Sequence, residues 1–129
     1  MKEPFTLDPL QPILVVEDEP LIRMSLVDVL EDGGFTVHES IDGSTAVAEI
    51  DKCNFLCGLV TDIRLGSKLD GWDVARHARI KFPSIAVVYV TADSVEAWPY
   101  KGVPNSVVLQ KPFAESQLMD AVGGSLRAA

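Results

Sequence analysis

Four short apolar runs in this chain each stop at a residue suited to phosphate or metal chemistry. Ile13 to Val16 lead to Glu17 and Asp18, Leu56 to Thr61 to Asp62, Ile85 to Val90 to Thr91, and Ser106 to Gln110 to Lys111-Pro112. Carboxylates packed together repel one another when ionised, and a small hard cation with oxygen ligands relieves that repulsion, magnesium being the natural choice. A carboxylate so placed can also attack a phosphoryl group, a reaction that asks mainly for positioning and charge neutralisation. Asp62 stands alone at its run and is the expected nucleophile, whereas the adjacent Glu17 and Asp18 suit metal work, directly or through water. Lys111 can neutralise phosphoryl oxygens together with the metal, and Thr91 can donate its hydroxyl to the new group. The bond before Pro112 is a candidate for the cis form, one way of aiming the lysine inward.

These groups meet only if the runs are neighbouring parallel strands, because then their carboxyl ends share one edge and ligands bind outside it. From Ile13 onward short β-branched runs alternate with longer amphipathic segments, the pattern of βα repeats around a parallel sheet covered by helices on both faces. The first helix is predicted from Pro20, with Leu21, Ile22, Leu26, Val29 and Leu30 inward and Gly33-Gly34 as its stop. A second strand over Phe35 to Ser40 precedes a helix from Ser44 to Lys52, capped by Asp42 and facing Val47 and Ile50 inward. Asp70 caps a third helix, Trp72 to Phe82, which lays Val74, Ala75, Ala78 and Ile80 on the sheet and ends at Pro83. Between Ala92 and Asn105 the breakers Pro99, Gly102 and Pro104 confine any helix to roughly one or two turns. A last helix from about Ala114 to Leu126 buries Leu118, Ala121 and Val122.

The 129 residues fit one domain, over residues 12–129, preceded by a proline-containing tail at residues 1–11. Eleven Lys and Arg against nineteen Asp and Glu give a net charge of −8, which repels the phosphate backbone and argues against nucleic acid as a partner. No apolar stretch approaches the roughly 20 residues that cross a bilayer, and Met1-Lys2-Glu3-Pro4 does not open a secretory signal, so a cytoplasmic location with no membrane partner is expected. Cys53 and Cys57 lack a second ligand pair nearby in sequence and read as buried or partly buried thiols rather than as a zinc site. Asp42, Asp70 and Asp93 read as helix caps, Trp72 as packing at the head of the third helix, and His38 and His77 as surface or boundary residues.

Taken in order, Val15-Val16-Glu17-Asp18-Glu19, Val60-Thr61-Asp62-Ile63-Arg64-Leu65, Tyr89-Val90-Thr91-Ala92 and Gln110-Lys111-Pro112-Phe113 resemble the receiver domain of two-component response regulators over about residues 12–126. The resemblance implies a flavodoxin-like, doubly wound five-stranded parallel sheet of order 2-1-3-4-5. It implies that Asp62 is the phosphoacceptor, that Glu17 and Asp18 serve Mg²⁺ with the backbone carbonyl of Arg64, and that Thr91 and Lys111 read the phosphoryl group. The phosphodonor would be a sensor histidine kinase or a histidine phosphotransfer protein. Because the chain ends soon after its last helix, output through a further, unidentified protein is expected.

Four departures from the family pattern stand out. The usual acidic pair is Glu17-Asp18, one methylene longer on one side, and Val108 occupies the position where receivers commonly carry an aromatic switch. The segment from Thr91 to Lys111 is short and proline-broken, so Trp98 or Tyr100 is the expected reporter of activation. The loop from Leu65 to Gly71 is about one residue longer than the common form. An Asp-nucleophile phosphatase of the haloacid-dehalogenase kind is the enzyme alternative, but it needs a second acid two residues on, where Arg64 stands. A flavodoxin-like cofactor binder would need backbone donors for phosphate after the first strand, where Glu17-Asp18-Glu19 repels it. A degenerate receiver that only scaffolds fits poorly with the complete acid, hydroxyl and lysine set. The expectation is therefore a non-enzymatic module whose only chemistry is self-catalysed phosphotransfer and dephosphorylation.

Overall fold

The computed structural model describes residues 11–66 and 68–128, so the proposed tail, apart from Gln11, lies outside the described residues. Five parallel strands, β1 (Pro12–Val16), β2 (Thr36–Ser40), β3 (Gly58–Asp62), β4 (Ala86–Thr91) and β5 (Ser106–Gln110), form one sheet in the order β2-β1-β3-β4-β5. The order reverses beside β1: the chain first steps outward to β2, then crosses back to β3. That switch opens a crevice at the carboxyl ends of β1 and β3, where Glu17 and Asp62 lie.

Side chains alternate across the pleat, which sorts the core into two layers. Leu14, Val16, Leu59, Val87 and Tyr89 meet α2 (Gly43–Lys52) and α3 (Gly71–Lys81) on one face. Ile13, Val15, Val60, Val88 and Val90 meet α1 (Pro20–Asp32) and α5 (Glu115–Ala128) on the other. All residues of β3 and β4 are buried, the consequence of helices on both faces of the central strands.

The helix starts follow the sequence closely. Pro20 opens α1, and Asp42 and Asp70 each build a reciprocal capping box, with Thr45 and Asp73 respectively. Gly34, at φ 96°, supplies the left-handed residue that ends α1. Two inward assignments fail for geometric reasons. Leu21 is 74% exposed because it sits about 100° around α1 from Ile22, which packs on the sheet. Ile80 is 83% exposed because it lies two residues, about 200°, from the buried Ala78. On α2 the buried pair is Ala46 and Ile50, with Val47 half-buried.

The proline-broken segment contains a 3₁₀ turn at Val95–Ala97 and then α4, a four-residue helix at Trp98–Lys101. Three contacts fasten it to the sheet. The Tyr89 hydroxyl, fully buried, accepts a hydrogen bond from the Val103 amide at 3.1 Å, Trp98 Nε1 donates to Ser106 Oγ at 2.9 Å, and that hydroxyl donates to the Val103 carbonyl at 2.6 Å. Val108 pairs in register with Tyr89 and is partly buried on the same face.

Candidate functional site

The strand ends bring the predicted carboxylates and the lysine to one place. Lys111 Nζ lies 2.9 Å from Glu17 Oε1 and 3.2 Å from Asp62 Oδ2, joining residues at the ends of β5, β1 and β3. Glu17, Asp18 and Asp62 each present a carboxylate oxygen within 4.8 Å of the others. Glu17 is fully buried, Asp62 nearly so, and Asp18 exposed, so the cluster opens to solvent on the Asp18 side.

Backbone contacts fix each carboxylate. The Glu17 amide donates to the Ser40 carbonyl at 3.1 Å, its carbonyl accepts from Arg23 Nη1 at 2.8 Å, and its Oε2 accepts from the Glu19 amide at 3.1 Å. Asp62 Oδ1 accepts from the Ile63 amide at 2.7 Å, leaving Oδ2 towards Lys111. The Gly71 amide donates to the Ile63 carbonyl at 2.8 Å, and a Cβ at Gly71 would overlap the Asp62 carbonyl oxygen. Only glycine permits α3 to start so close to the end of β3. Gly66, at φ 67°, passes close to the Asp18 carboxylate.

Burial pushes the Glu17 carboxyl above its ordinary range, and the Asp62 charge adds to that push, against the hydrogen bonds from Lys111 and the Glu19 amide. Burial pulls the Lys111 ammonium down, but the Glu17 hydrogen bond and the Asp62 charge outweigh it and leave the lysine above its ordinary value. The lysine therefore stays charged between two carboxylates. The Lys111-Pro112 peptide bond is cis.

Thr91, buried at the end of β4, accepts hydrogen bonds through Oγ1 from the amides of Asp93 at 3.2 Å and Ser94 at 3.0 Å. Its hydroxyl hydrogen is left to donate elsewhere. The Lys111 amide donates to the Thr91 carbonyl at 2.8 Å, so the two residues move as neighbours. Arg64, two residues past Asp62, is exposed, and its Nε contacts the Asp93 carboxylate at 2.9 Å, which ties the β3–α3 loop to the β4–α4 segment. Asp93 was expected to cap a helix; instead it pairs with Arg64 and accepts from Ser94 Oγ at 2.9 Å. A cavity of about 630 Å³, lined in part by Arg64, Gly66, Asp93, Ser94 and Lys101, lies beside the carboxylates rather than over them.

Spacing in the sequence located the carboxylates, the hydroxyl and the lysine, but not the residues that hold them. Arg23, Gly71 and the Arg64–Asp93 pair carry no local motif; only the third dimension brings Asp93 to a partner 29 positions earlier.

The response regulator receiver domain family matches residues 13–123. The response regulator receiver protein CpdR of Brucella abortus (strain 2308) is 31% identical over 119 residues, which covers 91% of this chain and 98% of CpdR. The sensor kinase CckA of the same organism is 29% identical over 113 residues, of which this chain spans only 12% of the length. Among solved structures, a response regulator receiver protein from Sinorhizobium medicae WSM419 superposes with a TM-score of 0.88 at 37% identity, covering 91% of this chain and 94% of that one. With the strand order, the acid and lysine cluster and these matches in agreement, the chain belongs to the receiver domains of two-component response regulators.

Proposed function

We propose that this chain is a phosphorylation-controlled signalling module of the cytoplasm that accepts a phosphoryl group on Asp62 from a histidine kinase or histidine phosphotransfer protein. The observation that carries the reading is the Lys111 ammonium between Glu17 and Asp62 at the open edge of the sheet. An Asp62 carboxylate oxygen attacks phosphorus, the N–P bond of the donor phosphohistidine breaks, and the departing imidazole keeps the bonding pair and takes up a proton. Lys111 then pairs with the phosphoryl oxygens.

Three carboxylates and one ammonium leave a net charge of two negatives when all are ionised, and the donors are hard oxygens, which fits Mg²⁺. Glu17, Asp18, Asp62 and the backbone carbonyl of Arg64 would hold it. A bound ion would supply positive charge to neutralise the phosphoryl oxygens.

Thr91 donates its free hydroxyl hydrogen to the phosphoryl group. Because the same hydroxyl oxygen accepts from the amides of Asp93 and Ser94, its movement draws the head of the 3₁₀ turn with it. Trp98 follows directly on that turn and is half-buried against the core, whereas Tyr100 is 88% exposed. Trp98 is thus the reporter of activation, in place of an aromatic at Val108, and its surface is where a downstream protein reads the state.

Intact mass after incubation with a small-molecule phosphodonor and Mg²⁺ tests the proposal. One added phosphoryl group that chelator or Asp62→Asn abolishes is the expected result; absence of an adduct with every donor tried refutes it. Unchanged Trp98 fluorescence and indole shift upon adduct formation would overturn the output route alone.

A further inference from the structure

A second cluster of ligating side chains lies away from the phosphoryl site, on the α2 side of the edge strand β2. His38 sits mid-strand in β2, Glu49 on the last turn of α2, and Cys53 is the residue that caps α2. His38 Nδ1 is 3.2 Å from Glu49 Oε2, and Cys53 Sγ is 3.7 Å from the same oxygen. All three ligand atoms fall within 4.8 Å of one another, and all three residues are half-buried.

These separations match a metal's requirements as well as a hydrogen bond's. A tetrahedral zinc ion with N and O ligands at about 2.0–2.1 Å and S at about 2.3 Å sets ligand edges of about 3.3 Å for N···O and about 3.6 Å for S···O. The two separations to Glu49 Oε2 therefore stand near first-coordination values, and the His38 nitrogen and Cys53 sulfur, within 4.8 Å of each other, need only a small closure around a shared ion. The three also line a surface cavity of about 480 Å³, bounded further by Pro12, Thr36 and Phe55, with room for water as a fourth ligand.

We propose that His38, Glu49 and Cys53 form a binding site for Zn²⁺ or a similar borderline transition metal, distinct from the oxygen-only cluster at Asp62. Imidazole and thiolate select such ions, whereas Mg²⁺ prefers carboxylate, carbonyl and water. The thiol, which burial and Glu49 hold protonated in the metal-free chain, gives its proton to solvent as the S–metal bond forms. Lys52 Nζ is 3.7 Å from Glu49 Oε1, the other oxygen, and so leaves Oε2 available. The bound ion would staple the edge strand to the end of α2, and saturation would raise the thermal midpoint.

The thiolate makes the test selective. Reduced, metal-free protein is titrated with Co²⁺, and a thiolate-to-cobalt charge-transfer absorption is followed in the near ultraviolet and then displaced by Zn²⁺. The acid cluster at Asp62 holds no sulfur, so it contributes nothing to that band. The expected result is a thiolate band that saturates at one equivalent of sulfur-bound Co²⁺ per chain, lost in Cys53→Ser and kept in Cys57→Ser and Asp62→Asn. His38→Gln and Glu49→Gln should each weaken Zn²⁺ by about a hundredfold, one ligand's share of a structural zinc affinity. Retained Asp62 phosphorylation and an unchanged far-ultraviolet spectrum in Cys53→Ser separate loss of the ligand from loss of the fold. No thiolate band at millimolar Co²⁺ in the wild-type chain overturns the proposal, as does a band that survives Cys53→Ser.

Discussion

Replacing Lys111 by methionine should tighten Mg²⁺ binding even as it disables the response to phosphorylation. The ammonium lies 2.9 Å from Glu17 and 3.2 Å from Asp62, so a cation sharing those carboxylates must sit close to it. Two unit charges about 4 Å apart repel by about 1 kcal/mol in bulk water and about 4 kcal/mol at an effective dielectric of 20, and a divalent ion doubles each figure. The Lys111 side chain is only 17% exposed, so the bulk-water figure, about 2 kcal/mol, is a floor. That corresponds to roughly thirtyfold tighter Mg²⁺ in Lys111→Met. Without metal the variant should unfold more easily, by about 3 kcal/mol, because two buried carboxylates lose their compensating charge. Calorimetric Mg²⁺ titration and thermal melts with and without chelator measure both effects. Equal or weaker Mg²⁺ affinity in the variant would refute the idea that lysine and metal compete for the same oxygens.

Tyr89→Phe removes the acceptor of the Val103 amide and should cost about 1–3 kcal/mol of stability, read as a lower denaturation midpoint, with a change in Trp98 fluorescence as the segment loosens. Gly71→Ala forces a methyl against the Asp62 carbonyl and should destabilise by about 1–3 kcal/mol while slowing adduct formation at Asp62, measured by intact mass against time. Asp93 is held below the ordinary aspartate value by its hydrogen bonds from Arg64 and Ser94. Its contribution to holding the two loops together is therefore present above the unfolded value and lost as pH falls through the lower folded one. Carboxyl-carbon NMR should find Asp93 titrating higher in Arg64→Ala, and identical titrations would exclude the pairing.

The sheet and the site were largely legible because their signals are local. Apolar runs marked four of the five strands, Pro20, Asp42 and Asp70 marked helix starts, and a strand-end residue needs no long-range information to be placed at the sheet edge. Helix rotation was less legible. The apolar Leu21 and Ile80 fit a broad stripe as written, and only the packed angle of each helix turns them to solvent. The pair Arg64–Asp93 left no spacing signature because its members come from different loops, and of the group His38, Glu49 and Cys53 only the i, i+4 spacing of Glu49 and Cys53 at the end of α2 is local, since His38 comes from β2. Cys53 and Cys57 lie close in sequence, whereas the fold separates their surroundings. Cys53 packs beside the α2 and α3 layer, and Cys57 beside the α1 and α5 layer.

Valine at position 108 changes what the rest of the segment has to do. Pairing in register places Val108 against Tyr89, whose ring packs on Trp72 at 4.7 Å and whose hydroxyl already accepts from Val103. The buried aromatic on this face is therefore contributed by β4 and is pinned at both ends, so it is poorly suited to rotate between solvent and core. Mobility must lie instead in an element with fewer fixed contacts. The 3₁₀ turn at Val95–Ala97 has no buried residue and no side-chain cap, and the four-residue helix after it has none either. Its upstream end hangs on the Thr91 hydroxyl, its middle on the hydrogen bond from Trp98 to Ser106, and the Lys101 carbonyl at its downstream end accepts from Arg76 Nη1 at 3.5 Å. Apart from Ala97 and Trp98, which pack on the core, its fixed contacts are polar, so the element can shift as a unit at less cost than a buried helix. On the proposed function, the proline-broken sequence that shortens α4 is thus the same feature that would let a phosphoryl group at Asp62, felt through Thr91, be read at Trp98.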